Sequence, residues 1–251
     1  QTIYRRIERR MGIHQIARIA SYVRFLQENP KELELLFKEL LIGVTSFFRD
    51  PAVWEQLKTE VLPALLEDRP PSQALRAWIP ACATGEEAYS LAIVFKEALE
   101  QLRPARECTL QIFATDLDKD AVEKARAGFF PANIAADVSP ERLSRFFVPV
   151  AGGYQVGKPI REMVIFALQN LVMDPPFTRL DLVSCRNLLI YLTPALQKKI
   201  LPLFHYGLNP GGVLLLGSAE TVGGFTGLFA PLAGKTQFYR RLESGQRAEP
   251  V

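Results

Sequence analysis

The stretch WIPACATGEEAYSLA, Trp78 to Ala92, decides the fold class because it leads from a buried strand through small residues into a helix. Small side chains at such a turn allow the backbone to approach a ligand closely, and the first turn of the helix offers unpaired N–H groups. Ala81 and Cys82 are therefore candidate ligand-binding residues. The stretch predicts an α/β unit that binds a ligand at this turn.

Two acidic residues, Glu86 and Glu87, follow the small residues. Thr84 and Glu87 have the T-x-x-E spacing of a capping box, which closes the start of a helix and does not require Glu86. Two negative charges at this place would repel a pyrophosphate. They suit a ligand with an ammonium or sulfonium group, and S-adenosyl-L-methionine (SAM) carries both. A well-capped helix that binds no ligand is the alternative interpretation.

Outward from this stretch, strand-like and helix-like segments alternate. The predicted strands are residues 75–81, 109–116, 163–170, 180–185 and 213–218, and the predicted helices are residues 84–100, 119–128 and 193–208. This alternation is typical of a Rossmann-like, mostly parallel sheet with helices on both faces. Asp116 ends the second strand, where an acid commonly accepts hydrogen bonds from ribose hydroxyls.

Two segments stand outside the alternation. Residues 1–70 have apolar residues at helical spacing and are predicted to form a small all-helical domain, followed after a Pro-rich break by a second domain at residues 71–251. Residues 129–162 contain two strand-like runs around Gly152–Gly153, which predicts a small β insertion with a hairpin. Such insertions often carry recognition, and a plain structural flap is the alternative.

The composition narrows the class of protein. Hydrophobic residues make up 48% and charged residues 23% of the chain, as in ordinary globular domains, and no apolar run has the length of a membrane span. The three Cys are far apart and the two His are isolated, which predicts a reducing, cytoplasmic setting and no metal site. The N-terminal arginines form either a solvated helix face or a docking surface for an acidic partner. These arginines are Arg5, Arg6, Arg9, Arg10, Arg18 and Arg24.

The tetrapeptide DPPF, Asp174 to Phe177, is the signature of enzymes that methylate an amino group of a nucleic-acid base. Those enzymes carry it at the carboxyl end of the fourth strand. Here the fourth predicted strand follows the tetrapeptide, and its carboxyl end is Ser184–Asn187. The tetrapeptide is therefore interpreted as a turn, and a nucleic-acid amino methyltransferase is kept as a competing hypothesis.

Four motifs together resemble the CheR-type chemotaxis receptor glutamate methyltransferases. They are LLIGVTSFFRD (40–50), PACATGEEAYSLA (80–92), FATDLDKDAVEKARAGFF (113–130) and SCRNLLIYL (184–192). The resemblance implies methyl transfer from SAM to glutamate side chains on chemoreceptor cytoplasmic helices, with S-adenosyl-L-homocysteine as product. It implies a monomeric domain that binds the receptor helices through the arginine-rich N-terminal helices, with the β insertion as a second candidate. Neither nucleic acid nor membrane insertion is expected.

The resemblance also assigns cofactor contacts, which are Thr45, Arg49, Glu86, Asp116, Asn170, Leu171, Arg186 and Asn187. Glu86 would hold the amino group and Asp116 the ribose. Asn170 and Leu171 would line the adenine pocket. The pair Arg186–Asn187 would close the site near the methionyl part.

Two residues are implied in catalysis, Arg49 and Tyr191. Tyr191 would lie by the transferred methyl group, and the guanidinium fork of Arg49 would orient the substrate carboxylate or the cofactor. The alternatives are a structural salt bridge for Arg49, for instance with Asp50 or Glu86, and core packing for Tyr191.

Two further features concern the parent protein and the cofactor site. Gly43 stands where family members often have Asn, so this position departs from the family pattern. Residues 40–50 resemble the version of this motif in large proteins that fuse the methyltransferase to methylesterase and sensor-like domains. Such a parent protein would explain the missing initiator Met. A non-catalytic SAM-sensing module in such a protein is a third hypothesis.

Overall fold

The structure, a computed structural model, describes residues 2–40, 45–67, 73–102, 108–232 and 237–243. Its contacts divide the chain into two compact units, Gln1–Val44 and Thr45–Val251. Gly43 lies outside the described residues. Within those ranges, no helix combines the length and the apolar character that a membrane crossing needs.

The helices of the first unit are α1 (Thr2–Ile13), α2 (Ile19–Glu28) and α3 (Pro30–Leu40). A buried ionic cluster joins them. Glu32 of α3 pairs with Arg10 of α1 and accepts a hydrogen bond of 2.7 Å from the Tyr22 hydroxyl of α2. The hydrogen bonds from Arg10 lower the pKa of Glu32 to about 2.

This cluster changes the interpretation of the N-terminal arginines. Arg10 is engaged by Glu32, and Arg6 donates to the carbonyl of Glu39, so both hold the unit together. The exposed arginines of the predicted docking surface are Arg5, Arg9, Arg18 and Arg24.

The second unit contains the alternating strands and helices. Its strands are β1 (Leu75–Pro80), β2 (Leu110–Asp116), β3 (Phe129–Pro131), β4 (Phe147–Val150), β5 (Gly153–Val156), β6 (Val164–Leu168), β7 (Leu180–Cys185), β8 (Leu208–Leu216), β9 (Phe229–Pro231) and β10 (Phe238–Arg241). Its helices are α4 (Pro51–Gln56), α5 (Leu62–Glu67), α6 (Glu86–Gln101), α7 (Lys119–Ala127), α8 (Pro140–Phe146), α9 (Lys158–Arg161) and α10 (Pro194–Gly207). A π-helical turn, Leu57–Val61, joins α4 to α5.

The main sheet has the strand order β6-β2-β1-β7-β8-β10-β9. The strands from β6 to β8 in this order are parallel, and β10 runs antiparallel to both β8 and β9. The carboxyl ends of the parallel strands therefore share one edge, and the strand order reverses at β1 and β7, where ligands bind in folds of this kind.

Both faces of this sheet are covered by helices. Ala77 and Ile79 of β1 pack in one core cluster with α6, whereas Trp78 between them packs on the other side against Phe204 of α10, with ring centroids 5.7 Å apart. The predicted mixed, mostly parallel α/β fold is confirmed.

The β insertion forms its own antiparallel sheet, β3-β5-β4, between α7 and β6. Phe130 of β3 and Phe147 of β4 contact the ring of Phe47, with centroids 4.8 and 5.4 Å away. The insertion is thereby joined to the segment that precedes α4.

The boundary between the units lies earlier than the predicted one near residue 70. Thr45–Glu67 belongs to the second unit because Phe47, Phe48, Trp54 and Leu57 are buried in the same cluster as β1 and α6. Helical periodicity shows that a helix has an apolar face, but it does not show which domain that face packs against.

Candidate active site at the carboxyl edge of the sheet

The turn between β1 and α6 has an unusual backbone. Ala81 and Ala83 have φ of 56° and 47°, and Gly85 has φ of 95°. Gly85 is needed for space as well, since a Cβ there would lie 2.9 Å from the Cβ of Ala125. The side chain of Cys82 is buried, and its backbone N–H donates to the carbonyl of Thr115 at 2.9 Å, which ties the turn to β2. The small residues therefore allow a tight turn whose backbone lies at the carboxyl edge.

Asp116, at the end of β2, braces this turn. One carboxylate oxygen accepts the Ala83 N–H at 2.8 Å, and the other accepts the Asp118 N–H at 2.9 Å. The predicted ribose contact would use the remaining lone pairs of these oxygens. Asp116 thus has a structural function in addition to the one implied by the sequence.

The predicted capping box is wrong. Helix α6 begins at Glu86, its N-cap is Gly85, and no side chain of the residues that the structure describes caps it. The Thr84 hydroxyl instead donates to the carboxylate of Glu86, with oxygen–oxygen distances of 2.7 and 2.9 Å. Burial raises the pKa of Glu86, so a cationic ligand group at this place would be favourable.

Glu87 turns away from the helix start and enters a buried network. It accepts a hydrogen bond of 2.6 Å from the Ser184 hydroxyl at the end of β7, and the Arg186 guanidinium lies 3.7 Å from its other oxygen. Burial raises the pKa of Glu87, and Arg186 opposes that rise. The hydrogen-bond partner of the Glu87 carboxylate is therefore Ser184 of β7, and not the backbone at the start of α6.

Arg186 anchors the segment before α4 to β7. Its side chain is 1% exposed, and its Nη2 donates to the carbonyl of Arg49 at 2.9 Å and to the carboxylate of Asp50 at 2.6 Å. The Nε of Arg186 is buried and has no hydrogen-bond partner among the described residues. The Arg49 backbone is thereby fixed at the carboxyl edge, while the Arg49 side chain is exposed and its charge acts on Glu87. Thr45, at the start of this segment, is half-buried.

The DPPF tetrapeptide is a structural turn. The carboxylate of Asp174 accepts the Asn170 N–H at 2.7 Å, and the Asn170 side chain accepts the Val172 N–H at 3.0 Å. Phe177 stacks on Phe113 with ring centroids 4.5 Å apart. Its half-buried ring also contacts Trp78, with centroids 5.6 Å apart, so it packs on the side of the sheet that α10 covers.

Leu171 is half-buried after β6 and packs against the core cluster that contains β7 and α10. Met173, two residues further, is 78% exposed. The two residues predicted to line an adenine pocket, Asn170 and Leu171, therefore lie on a turn that the tetrapeptide shapes.

Asn187 and the residues after it are held by a buried acid that the sequence did not single out. Glu220 accepts the N–H groups of Asn187 at 2.8 Å, Gly217 at 2.7 Å and Ile190 at 3.3 Å. Asn187 has φ of 59°, a left-handed conformation that this acid helps to fix. Tyr191 follows and is 47% exposed, so it is not packed in the core.

Family models match the whole of this arrangement. Residues 43–238 match the model described as "CheR methyltransferase, SAM binding domain", and residues 1–41 match "CheR methyltransferase, all-alpha domain". The chain belongs to the CheR methyltransferase family. Its cofactor is SAM, and its activity class is SAM-dependent methyl transfer, as the resemblance predicted.

Individual relatives of the CheR family differ in length. An "Uncharacterized 104.1 kDa protein in hypE 3'region" of Rhodobacter capsulatus is 44% identical over 244 residues, which is 97% of this chain and 25% of that protein. "Chemotaxis protein methyltransferase 2" of Vibrio cholerae is 32% identical, over 83% of this chain and 72% of that one. "Chemotaxis protein methyltransferase 1" of Pseudomonas aeruginosa is 35% identical, over 75% and 70%. The chain thus spans about a quarter of the R. capsulatus relative.

The residues at the carboxyl edge fit SAM. The β1–α6 turn is built of small residues, the carboxylate of Glu86 is partly buried with a raised pKa, and the buried Nε of Arg186 has no partner within the described part of the chain. A ligand with an ammonium group and a carboxylate group would match this donor and acceptor set.

Proposed function

We propose that this chain is a protein-glutamate O-methyltransferase that acts on glutamate side chains of chemoreceptor cytoplasmic helices. Membership of the CheR family and the names of the V. cholerae and P. aeruginosa relatives support the substrate class. The observation that carries the proposal is the anchoring of Arg49. Arg186 fixes its backbone at the edge where the β1–α6 turn ends, and the exposed Arg49 side chain is proposed to reach a carboxylate at the cofactor site from there.

When bound, SAM supplies an electrophilic methyl group, which a glutamate carboxylate can accept without a general base because its pKa near ~4.3 leaves it ionised. The protein therefore has to orient the carboxylate and exclude water from it, and orientation can contribute about 7–11 kcal/mol to lowering the barrier. Arg49 suits the orienting role because its planar fork matches a carboxylate. The exposed ring of Tyr191 would lie beside the reacting groups and limit access of water.

The other predicted contacts are proposed to hold the cofactor. Glu86 would bind the amino group, and Asp116 would bind the ribose while it braces the turn. The backbone of Ala81 and Cys82 would pass close to the cofactor. Asn170–Leu171 would line the adenine pocket, and Arg186–Asn187, with Thr45, would complete the methionyl end.

Receptor docking is proposed for the exposed basic surface of the first unit, now defined as Arg5, Arg9, Arg18 and Arg24. Glutamate-rich receptor helices are acidic, and opposite charges would steer the encounter. The β insertion remains a second candidate. A monomeric, cytoplasmic domain without nucleic-acid partners is part of this proposal, as is its place within a longer protein like the R. capsulatus relative.

The test is transfer of a labelled methyl group from SAM to a panel of receptor cytoplasmic fragments, followed by alkali. A glutamate methyl ester releases methanol in alkali, and a fragment with Gln at the methylated positions serves as the control. Arg49→Ala is expected to lower kcat at least about tenfold with folding intact. Alkali-stable label on nucleic acid, or SAM binding without transfer to any fragment, would refute the proposal.

A further inference from the structure

Arg49 lies between two residues with left-handed backbone conformations. Phe48 has φ of 50° and Asp50 has φ of 60°. Neither is a glycine, and an aromatic residue in this conformation persists only where its surroundings hold it. The segment Thr45–Asp50, here named the arginine turn, therefore needs a restraint on each side of Arg49.

The restraint on the carboxyl side is Arg186, which binds Asp50 at 2.6 Å and the carbonyl of Arg49 at 2.9 Å. Trp54 supports it, since its indole Nε1 donates to the same carbonyl at 2.8 Å. These contacts come from α4 and from the residue that follows β7. Trp54 also packs edge-to-face against the Phe48 ring, with centroids 6.1 Å apart.

The restraint on the amino side comes from the β insertion. The Cζ of Arg142, in α8, lies 4.0 Å from the centroid of the Phe48 ring. The guanidinium is held there by Glu97 of α6 through two hydrogen bonds, each of 2.7 Å. Phe48 is 4% exposed, so this cation–π contact is largely shielded from water and is stronger than a surface contact.

A short chain of hydrogen bonds links Phe48 to the cofactor side. The Phe48 N–H donates to the Ser90 hydroxyl at 3.0 Å, and that hydroxyl donates to the carbonyl of Glu86 at 2.7 Å. A shift of Phe48 would therefore disturb both Arg49 and the first turn of α6.

We propose that Arg142 is a positioning residue, which holds Arg49 in place by fixing Phe48 from the β insertion. The insertion is then part of the active-site scaffold, whatever else it binds. The consequence for catalysis rests on the proposed function of Arg49, whereas the restraint on the arginine turn can be measured without a receptor substrate.

The experiment compares Arg142→Met with Arg142→Lys and with Arg145→Met in the full chain. Arg145 is the matched control, since it lies on the same helix and pairs with Glu100 at 2.7 Å, but its guanidinium lies over Phe146 and not over Phe48. The readouts are hydrogen exchange of peptides covering residues 45–54, S-adenosyl-L-homocysteine affinity by titration calorimetry, and kcat on receptor fragments.

Arg142→Met is expected to speed exchange of these peptides about threefold or more, weaken S-adenosyl-L-homocysteine binding about fivefold and lower kcat. Arg142→Lys, which keeps a cation, should recover part of each change, and Arg145→Met should leave all three at wild-type values. Wild-type exchange and affinity in Arg142→Met would overturn the inference. If the wild-type protein methylates no receptor fragment, the proposed function fails, while exchange and affinity still decide the position of the arginine turn.

Discussion

Replacement of Arg186 by Met should destabilise the second unit strongly, because it leaves a buried acid without its cation. Removing one partner of a buried ion pair costs about 3–5 kcal/mol. Asp50 is 43% exposed, so water screens its contribution to the ion-pair energy, and we expect a loss at the lower limit of this range, about 3 kcal/mol. A loss of this size lowers Tm by about 6–12 °C. Glu87, whose side chain is 16% exposed, is the group left buried.

The pH dependence makes this prediction specific. Burial already holds the pKa of Glu87 above its ordinary value, and Arg186 opposes that rise. A carboxyl group whose folded pKa is raised loses stability as the pH rises from its unfolded pKa to its folded pKa. Without Arg186 this window extends further upward, so the Tm deficit should be larger at about pH 7.5 than at about pH 5.5.

The assay is thermal unfolding of Arg186→Met, Arg186→Met/Glu87→Gln and Arg145→Met at the two pH values. The double variant should recover part of the lost stability because Gln carries no charge to bury. Arg145→Met breaks an exposed ion pair and should change stability by less than about 1 kcal/mol. A deficit in Arg186→Met that is no larger than in Arg145→Met, or that Glu87→Gln does not reduce, would refute the reasoning.

Four further predictions follow from the contacts. Glu86→Gln should weaken SAM binding about tenfold by calorimetry, yet leave Tm equal or higher, because it removes a carboxylate whose pKa burial raises. Glu220→Ala should lower Tm and weaken S-adenosyl-L-homocysteine binding several-fold, since the N–H groups of Asn187 after β7 and Gly217 after β8 lose their acceptor; unchanged affinity would contradict its positioning role. Phe177→Ala should cost about 2–4 kcal/mol in denaturant unfolding with wild-type SAM affinity, as expected of a packing residue. Glu32→Gln should destabilise the first unit by about 2–3 kcal/mol near neutral pH. In the wild-type protein, the stability that the Glu32 carboxylate contributes should be lost as the pH falls from about 4.3 to about 2, because the pKa of Glu32 is lowered in the folded state. Unfolding followed by circular dichroism, near neutral pH for the variant and in an acid titration for the wild-type protein, checks these two expectations.

Much of the fold could be predicted from the sequence because its signals are local. The apolar runs and breaks placed β1, β2, β6 and β7 within a few residues of their positions. The position of the DPPF tetrapeptide before β7 was enough to identify it as a turn, and the stacking of Phe177 on Phe113 supplies the packing reason.

Side-chain partners were the part that local spacing predicted badly. The T-x-x-E spacing favoured a helix cap, but Glu87 bonds to Ser184, which is 97 residues away in sequence. Glu220 gave no sequence signal at all, since only the folded chain brings its carboxylate to the backbone of Asn187. The predicted domain boundary near residue 70 differs from the one in the structure for a similar reason, because helical spacing does not identify the core that a helix packs into.

The sequence by itself determined the order of the central elements β1, α6, β2, α7, β6, β7, α10 and β8, the small-residue turn after β1 and the motifs of the CheR family. These features depend on residue types that lie close together in the sequence, so hydrophobic periodicity and backbone geometry are enough to predict them. Only the tertiary structure decided which charges meet. Arg186 pairs with Asp50, which is 136 residues away in sequence, and Arg142 of the β insertion lies over the ring of Phe48. Such contacts depend on the packing of distant elements, and that packing places Arg49 at the edge of the sheet.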